Sequence, residues 1–131
     1  RGSVETAYFS VTGTDDEVVP FVSENNWRTN AFFCAWTAYQ TMNGMEVSSR
    51  PDFSKDATFG IALKDREVIS TNKRVTMEAG VLYKGNIPLI KVVAVNDYGH
   101  WNFKPDARLM WDFMKQFSRD PQTKKLVYNK R

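Results

Sequence analysis

The chain has 131 residues, which is the size of one domain or of part of a larger one. Its 18 basic and 15 acidic residues nearly balance, and apart from a cluster in residues 124–131 the basic ones are scattered, so we expect no nucleic-acid partner. No apolar run approaches the ~18 residues that a membrane span requires, so we expect no membrane partner either, and no signal peptide is visible.

The first predicted element is a strand that leads into an acidic loop. Residues 4–12 include several residue types that favour strands, and Gly13 ends the run. Two adjacent carboxylates, Asp15 and Asp16, follow at once. The loop is predicted to continue to residue 25, with a short helical turn after Pro20.

A helix is predicted over residues 27–42, with Asn25 or Asn26 as its cap and Asn43-Gly44 as its stop. Apolar residues at steps of three and four indicate one buried stripe. The members of this stripe are Trp27, Ala31, Cys34, Ala35, Ala38, Tyr39 and Met42. The single cysteine excludes an internal disulfide, and we expect it to pack as a small buried hydrophobe.

The middle of the chain is predicted to change from irregular structure to two strands. Residues 45–74 carry a proline, several charges and clusters of Ser, Thr and Asn, which favours an irregular excursion with one short strand or helical turn at most. Residues 75–83 and 87–95 are predicted strands joined at 84–86, where Gly-Asn is a hairpin signal. The second strand is almost continuously apolar, which indicates burial on both of its faces.

A second helix is predicted over residues 105–118, because Pro105 suits a first helical position and apolar residues recur on one face. That face comprises Leu109, Met110, Phe113, Met114 and Phe117. Residues 119–131 are polar, with residues 126–128 as an expected docking patch. Alternating strands and helices indicate an α/β fold.

The chain's only histidine, His100, follows its most apolar strand, much as Asp15 and Asp16 follow the first. Loops at the carboxyl ends of strands are where α/β proteins build sites, so a carboxylate and His100 could form a hydrogen-bonded catalytic pair. Turn chemistry for the aspartates and a surface role for the histidine remain open alternatives. A metal site is disfavoured, and none of the chain's serines lies in a Gly-x-Ser-x-Gly elbow.

The stretch GTDDEVVP, residues 13–20, resembles the Gly-Thr-x-Asp-x-x-Val-Pro loop that carries the triad acid in α/β-hydrolases. The nearest resemblance is to polyhydroxybutyrate-depolymerase-like enzymes and family 1 carbohydrate esterases, including feruloyl and acetyl xylan esterases. Their histidine loop is similar to NDYGHW, residues 96–101, and their last helix resembles WDFMKQFSRDP. The resemblance implies that Asp16, rather than Asp15, is the triad acid and that His100 is the triad base.

The resemblance covers only the C-terminal part of an α/β-hydrolase sheet with its flanking helices. It therefore implies that residues 1–131 are a C-terminal fragment of a single domain, with an insertion-like excursion at about 45–86. We expect a separate N-terminal half to complete the sheet, because the two helices are not expected to cover residues 87–95 fully. That half would supply the nucleophilic serine, and this chain alone would be inactive.

The implied activity is hydrolysis of carboxylic esters on a polysaccharide or polyester by a secreted or periplasmic enzyme. No cofactor or metal is implied. Tyr98, Trp101 and Phe103 flank His100 and are expected to contact the substrate, although packing of loop aromatics is the alternative. Two other functions remain open: a β-rich carbohydrate-binding module with aromatic stacking platforms, and a catalytically inactive hydrolase relative that serves as a scaffold.

Overall fold

A computed structural model of the chain describes residues 5–15, 20–70, 75–96 and 104–130. These residues form a small mixed α/β domain with a four-stranded sheet, two helices and a separate two-stranded sheet. The elements in chain order are β1 (Tyr8–Gly13), α1 (Ala31–Met42), β2 (Lys64–Ser70), β3 (Thr76–Lys84), β4 (Ile87–Val95), α2 (Lys104–Met114), β5 (Phe117–Arg119) and β6 (Leu126–Tyr128).

The four-stranded sheet is mixed, with the order β1-β4-β3-β2. β1 runs parallel to β4, while β3 is antiparallel to both β4 and β2. Parallel neighbours need a long crossover, and here residues 14–86 supply it, with α1, β2 and β3 along the way. β1 and β2 are the two edges of this sheet.

The hairpin of β3 and β4 confirms the turn predicted at residues 84–86. Gly85 has φ +61° in the turn, a left-handed conformation that glycine adopts without steric cost. The first strand begins later than predicted, at Tyr8, and includes Gly13 as its last residue. Residues 45–63 are irregular as predicted, and residues 64–70 form the one strand that the prediction allowed in this region, seven residues long and at the sheet edge.

β4 is buried on both faces, as its apolar run predicts. Against one face lie α1 and the irregular segment, with a core built from Val22, Phe33, Trp36, Phe59, Ile61, Leu89, Ile90, Val92 and Ala94. On the other face, Val93 and Val95 form a second cluster with Met77 and Ala79 of β3, and Leu109 of α2 packs on this cluster. The two helices alone do not cover this strand, as expected, but residues 20–63 supply further cover on one face, so the burial of β4 does not require a second chain.

α1 begins four residues later than predicted and is capped by Asn30, not by Asn25 or Asn26. The Asn30 side-chain oxygen accepts hydrogen bonds from the backbone N–H groups of Phe32 and Phe33, each at 3.0 Å. Asn26 instead closes the preceding turn, where its side chain accepts from the Ser23 N–H and donates to the Phe21 carbonyl, both at 2.8 Å. The predicted stop is confirmed, with Asn43 as the C-cap and Gly44 at φ +67°.

The buried face of α1 is not the predicted stripe. Phe33, Trp36 and Gln40 are its buried residues, whereas Cys34 is exposed and Met42 is 42% exposed. The helix is apolar on most of its circumference, so periodicity allows two faces, and the face with the larger aromatic rings buries more area. The expectation of a buried cysteine is wrong for the same reason.

α2 ends at Met114, before the predicted residue 118. Phe117 belongs to β5, which pairs antiparallel with β6 and places Phe117 opposite Tyr128. Phe113 is buried, but Met110 and Met114, expected on the same face, are 47% and 38% exposed. The helix thus ends earlier than predicted because the following residues pair in a short hairpin, and local helix propensity does not predict such pairing.

Candidate functional site

The carboxyl ends of β1 and β4 lie side by side at one edge of the sheet. Gly13 is the register partner of Val95, and beyond this pair the Thr14 N–H donates to the Val95 carbonyl at 3.1 Å. In sequence, Asp16 comes three residues after Gly13, and His100 comes five residues after Val95. The two predicted loops therefore leave the sheet from adjacent strands at the same edge.

The predicted site residues Asp16, Tyr98, His100, Trp101 and Phe103 lie outside the described residues. Their roles remain predictions. The alternative acid Asp15 is described, and it is exposed in the turn after β1.

Asn96 anchors the end of β4 to the start of β3. Its N–H donates to the Thr76 carbonyl at 2.9 Å, and its side-chain amide donates to the Thr76 hydroxyl at 3.0 Å. The last described residue before the histidine segment is thus held by both backbone and side chain.

An ion network supports the same edge from the irregular segment. Arg66 of β2 donates from Nε to Asp56 Oδ2 and from an Nη atom to Glu78 Oε1, both at 2.7 Å, and a second Nη donates to the Ala79 carbonyl at 3.1 Å. Asp56 also accepts from the N–H groups of Thr58 and Phe59, each at 3.0 Å. The network joins the 56–59 turn to β2 and β3.

Glu78 links this network to the strand end. Burial alone would raise the pKa of Glu78, but hydrogen bonds from Arg66, Thr58 and Asn96, together with the Arg66 charge, outweigh burial and hold that pKa below its ordinary value of 4.5. Glu78 therefore stays ionised at neutral pH and keeps the Arg66 guanidinium paired. The Thr58 hydroxyl donates its hydrogen bond to Glu78 Oε1 at 2.8 Å.

A cleft of about 500 Å³ opens at the same edge, and we call it the strand-end cleft. Thr14 and Asn96 form its side next to the strands, and Phe21, Val22, Phe53 and Thr58 form its walls. Its volume falls within the range of small-molecule sites. No spacing pattern in the sequence signals this cleft, because its walls come from two irregular segments that only the fold brings together.

Other site chemistries find little support in the part of the chain that the structure describes. There, no group of three or more His, Cys, Asp or Glu side chains could hold a metal ion. Neither of the two described helices is long and apolar enough to cross a membrane. Ser10 is buried in β1 and accepts a hydrogen bond from the Trp36 indole at 3.1 Å.

Comparison of the chain with models of protein families, with curated proteins and with solved structures finds no match.

Proposed function

We propose that this chain carries the acid and the histidine of a Ser-His-Asp triad in a carboxylic ester hydrolase, with Asp16 as the acid and His100 as the base. The observation that supports this most is the parallel pairing of β1 and β4, whose carboxyl ends meet at the Gly13–Val95 pair. Asp16 lies three residues beyond Gly13, and His100 lies five residues beyond Val95. Because each residue spans at most ~3.6 Å, two such short segments that leave adjacent strand ends are long enough for the two side chains to meet.

In the proposed reaction a serine hydroxyl attacks the ester carbonyl carbon while His100 accepts the serine proton. The tetrahedral intermediate collapses, the bond to the alcohol oxygen breaks, and His100 gives its proton to the departing alcohol. His100 then takes a proton from water while the water oxygen attacks the acyl carbon, the bond from that carbon to the serine oxygen breaks to release the acid, and His100 returns the proton to the serine. Asp16 orients the imidazole and stabilises its cationic form during both steps.

The serine is proposed to come from a separate N-terminal half of the same α/β-hydrolase domain. β1 is an edge strand, with β4 as its one strand neighbour among the described residues, so its other side is where the sheet of a larger hydrolase would continue. No serine of the chain sits in a nucleophile elbow. The burial argument for a fragment no longer contributes, since β4 is covered within this chain.

The proposed substrates are esters on a polysaccharide or polyester outside the cell, contacted by Tyr98, Trp101 and Phe103. These parts of the proposal rest on the sequence resemblance. In the four-stranded sheet, the pair of β1 and β4 is parallel, as the proposal requires, and the other two pairs are antiparallel.

The test is to express this sequence together with the segment encoded directly before it and to assay hydrolysis of 4-nitrophenyl acetate. We expect His100→Ala and Asp16→Asn to lower kcat by on the order of 10⁴-fold, because the base is lost or wrongly oriented. The matched control Asp15→Asn differs by one position and should retain nearly full activity. Full activity in His100→Ala would refute the proposal.

A second assay addresses the missing serine. A fluorophosphonate should label the longer polypeptide on a serine outside residues 1–131 and leave this chain unlabelled. Ser23 lines the strand-end cleft and is therefore the serine of this chain to examine first. Labelling that is lost in Ser23→Ala would show that the chain holds its own nucleophile and would contradict the two-part arrangement.

A further inference from the structure

The strand-end cleft has apolar walls that are fixed by packing. The Phe21 ring makes edge contacts with Trp36 and Phe59, with ring centroids 6.4 and 6.0 Å apart, so the core holds its orientation. Phe53, which also lines the cleft, packs over Gly60, where a Cβ atom would come within 3.1 Å of the Phe53 ring. Both rings are thus part of a preformed wall.

The polar groups of the cleft are largely used within the protein. The Thr58 hydroxyl donates to Glu78 at 2.8 Å, and the Asn96 amide donates to the Thr76 hydroxyl at 3.0 Å. A ligand therefore meets mostly aromatic and aliphatic surface, which favours apolar groups over hydrogen-bonding ones.

Charge at the cleft disfavours anions. Glu24 lines it with a side chain that is 59% exposed and is paired only loosely with Arg50, at 3.8 Å. Among the described cleft residues there is no lysine or arginine to balance a bound carboxylate.

The size of the cleft is sufficient for one substituted aromatic ring. Its volume of about 500 Å³ exceeds the ~150 Å³ that holds benzene in an engineered cavity.

We infer that the strand-end cleft binds an uncharged aromatic ring, with Phe21 and Phe53 as its walls and Glu24 as the group that rejects anions. This inference about ring binding depends only on the cleft. Thr14 and Asn96 place the cleft beside the ends of β1 and β4, so we assign the ring as a substituent of the hydrolysed ester. This assignment rests on the proposed function.

The test uses non-hydrolysable probes and the chain by itself, so that it does not depend on catalysis. Benzamide should shift the backbone amide signals of Phe21, Phe53, Thr14 and Asn96 in a two-dimensional NMR titration. Benzoate, which has the same ring but a negative charge, should bind at least tenfold more weakly, and Glu24→Gln should reduce that difference. Acetamide, which lacks the ring, should leave these signals unchanged.

Two variants test the walls. Ala57 is exposed and lines the cleft, so Ala57→Trp should obstruct it without disturbing the core, and Phe53→Ala should remove one wall; each should weaken benzamide binding at least tenfold. Val127→Ala, at an exposed position in β6, is the control and should bind normally. Unchanged binding in Ala57→Trp, or no shift at these four residues, would overturn the inference.

A separate kinetic experiment tests the assignment of the ring as a substituent of the ester. Once the longer polypeptide is active on 4-nitrophenyl acetate, phenyl acetate and methyl benzoate distinguish a ring on the alcohol side from a ring on the acyl side. Ala57→Trp should lower kcat/KM at least tenfold for one of the two and spare ethyl acetate. Equal effects on all three esters would contradict the assignment while leaving both ring binding and the triad proposal standing.

Discussion

Arg66 and Asp56 form a charged pair in which the acid is almost fully buried. Arg66 Nε lies 2.7 Å from Asp56 Oδ2, and the side chains are 30% and 6% exposed. Asp56 also caps its own turn through Thr58 and Phe59, so the pair fixes one wall of the strand-end cleft to the sheet. The guanidinium additionally lies 5.2 Å from the centre of the Phe59 ring.

Replacement of Arg66 by Met should lower the free energy of unfolding by about 2 kcal/mol, because it leaves the buried Asp56 carboxylate without its cation. The expected loss is smaller than for a fully buried pair, since Arg66 is partly solvated. Urea unfolding measures it. Arg108→Met is the control, because Arg108 is 82% exposed in its pair with Asp112 and should change stability by less than ~0.5 kcal/mol. Equal effects of the two substitutions would contradict this account.

The lowered pKa of Glu78 predicts a loss of stability in acid. A carboxyl group with a depressed pKa in the folded state stabilises the fold above its ordinary pKa of 4.5, and that contribution is lost as the pH falls through the lowered value. The difference in unfolding free energy between the wild type and Glu78→Gln should therefore be constant at neutral pH and shrink below pH 4.5. Parallel stability curves over the acid range would argue against this role of Glu78.

Tyr83 is predicted to resist ionisation because its hydroxyl donates to Asp65. This hydrogen bond, with a smaller effect of burial and of the Asp65 charge, raises the pKa of Tyr83 from 10.0 to about 12. Asp65→Asn should return the pKa of Tyr83 towards 10.0, and asparagine tolerates the φ of +53° at this position.

Ultraviolet titration of tyrosinate measures this shift, and Tyr83→Phe identifies the signal that belongs to Tyr83. Because the pKa is raised in the folded state, the associated stability is present below pH 10.0 and is lost as the pH rises towards about 12. An unchanged high-pH transition in Asp65→Asn would count against the contact.

Trp36 and Trp111 should respond very differently to the same substitution. Trp36 is 1% exposed and donates to Ser10 across the interface of α1 with β1, whereas Trp111 is 62% exposed. Trp36→Phe should cost about 2 kcal/mol through the lost hydrogen bond and the space left by the smaller ring, and Trp111→Phe should stay within ~0.5 kcal/mol. Thermal or urea unfolding compares the two, and similar losses would contradict the assigned core.

The parts of the fold that sequence predicts are those with strong local signals. The branched run of β4 and the Gly85 turn of its hairpin are examples, because strand burial and turn conformation are encoded within a few residues. The buried face of α1 is different, since Phe33 and Cys34 are both apolar and only the packing against the sheet decides between them.

Long-range pairing explains the remaining differences. The end of α2 is set by the pairing of Phe117 with Tyr128, which the local sequence does not encode. The strand-end cleft depends on the meeting of Phe21 and Phe53 from distant loops. The adjacency of the two strand ends, in contrast, follows the expectation that α/β proteins build sites from loops at the carboxyl ends of strands.

The most direct measurement of the central claim is an NMR titration of the imidazole of His100, which is unambiguous because the chain has one histidine. A carboxylate beside the ring favours its cationic form, so the titration midpoint should fall by about one pH unit in Asp16→Asn and stay unchanged in Asp15→Asn. Identical midpoints in the wild type and Asp16→Asn would show that these two side chains do not meet, and would contradict the account.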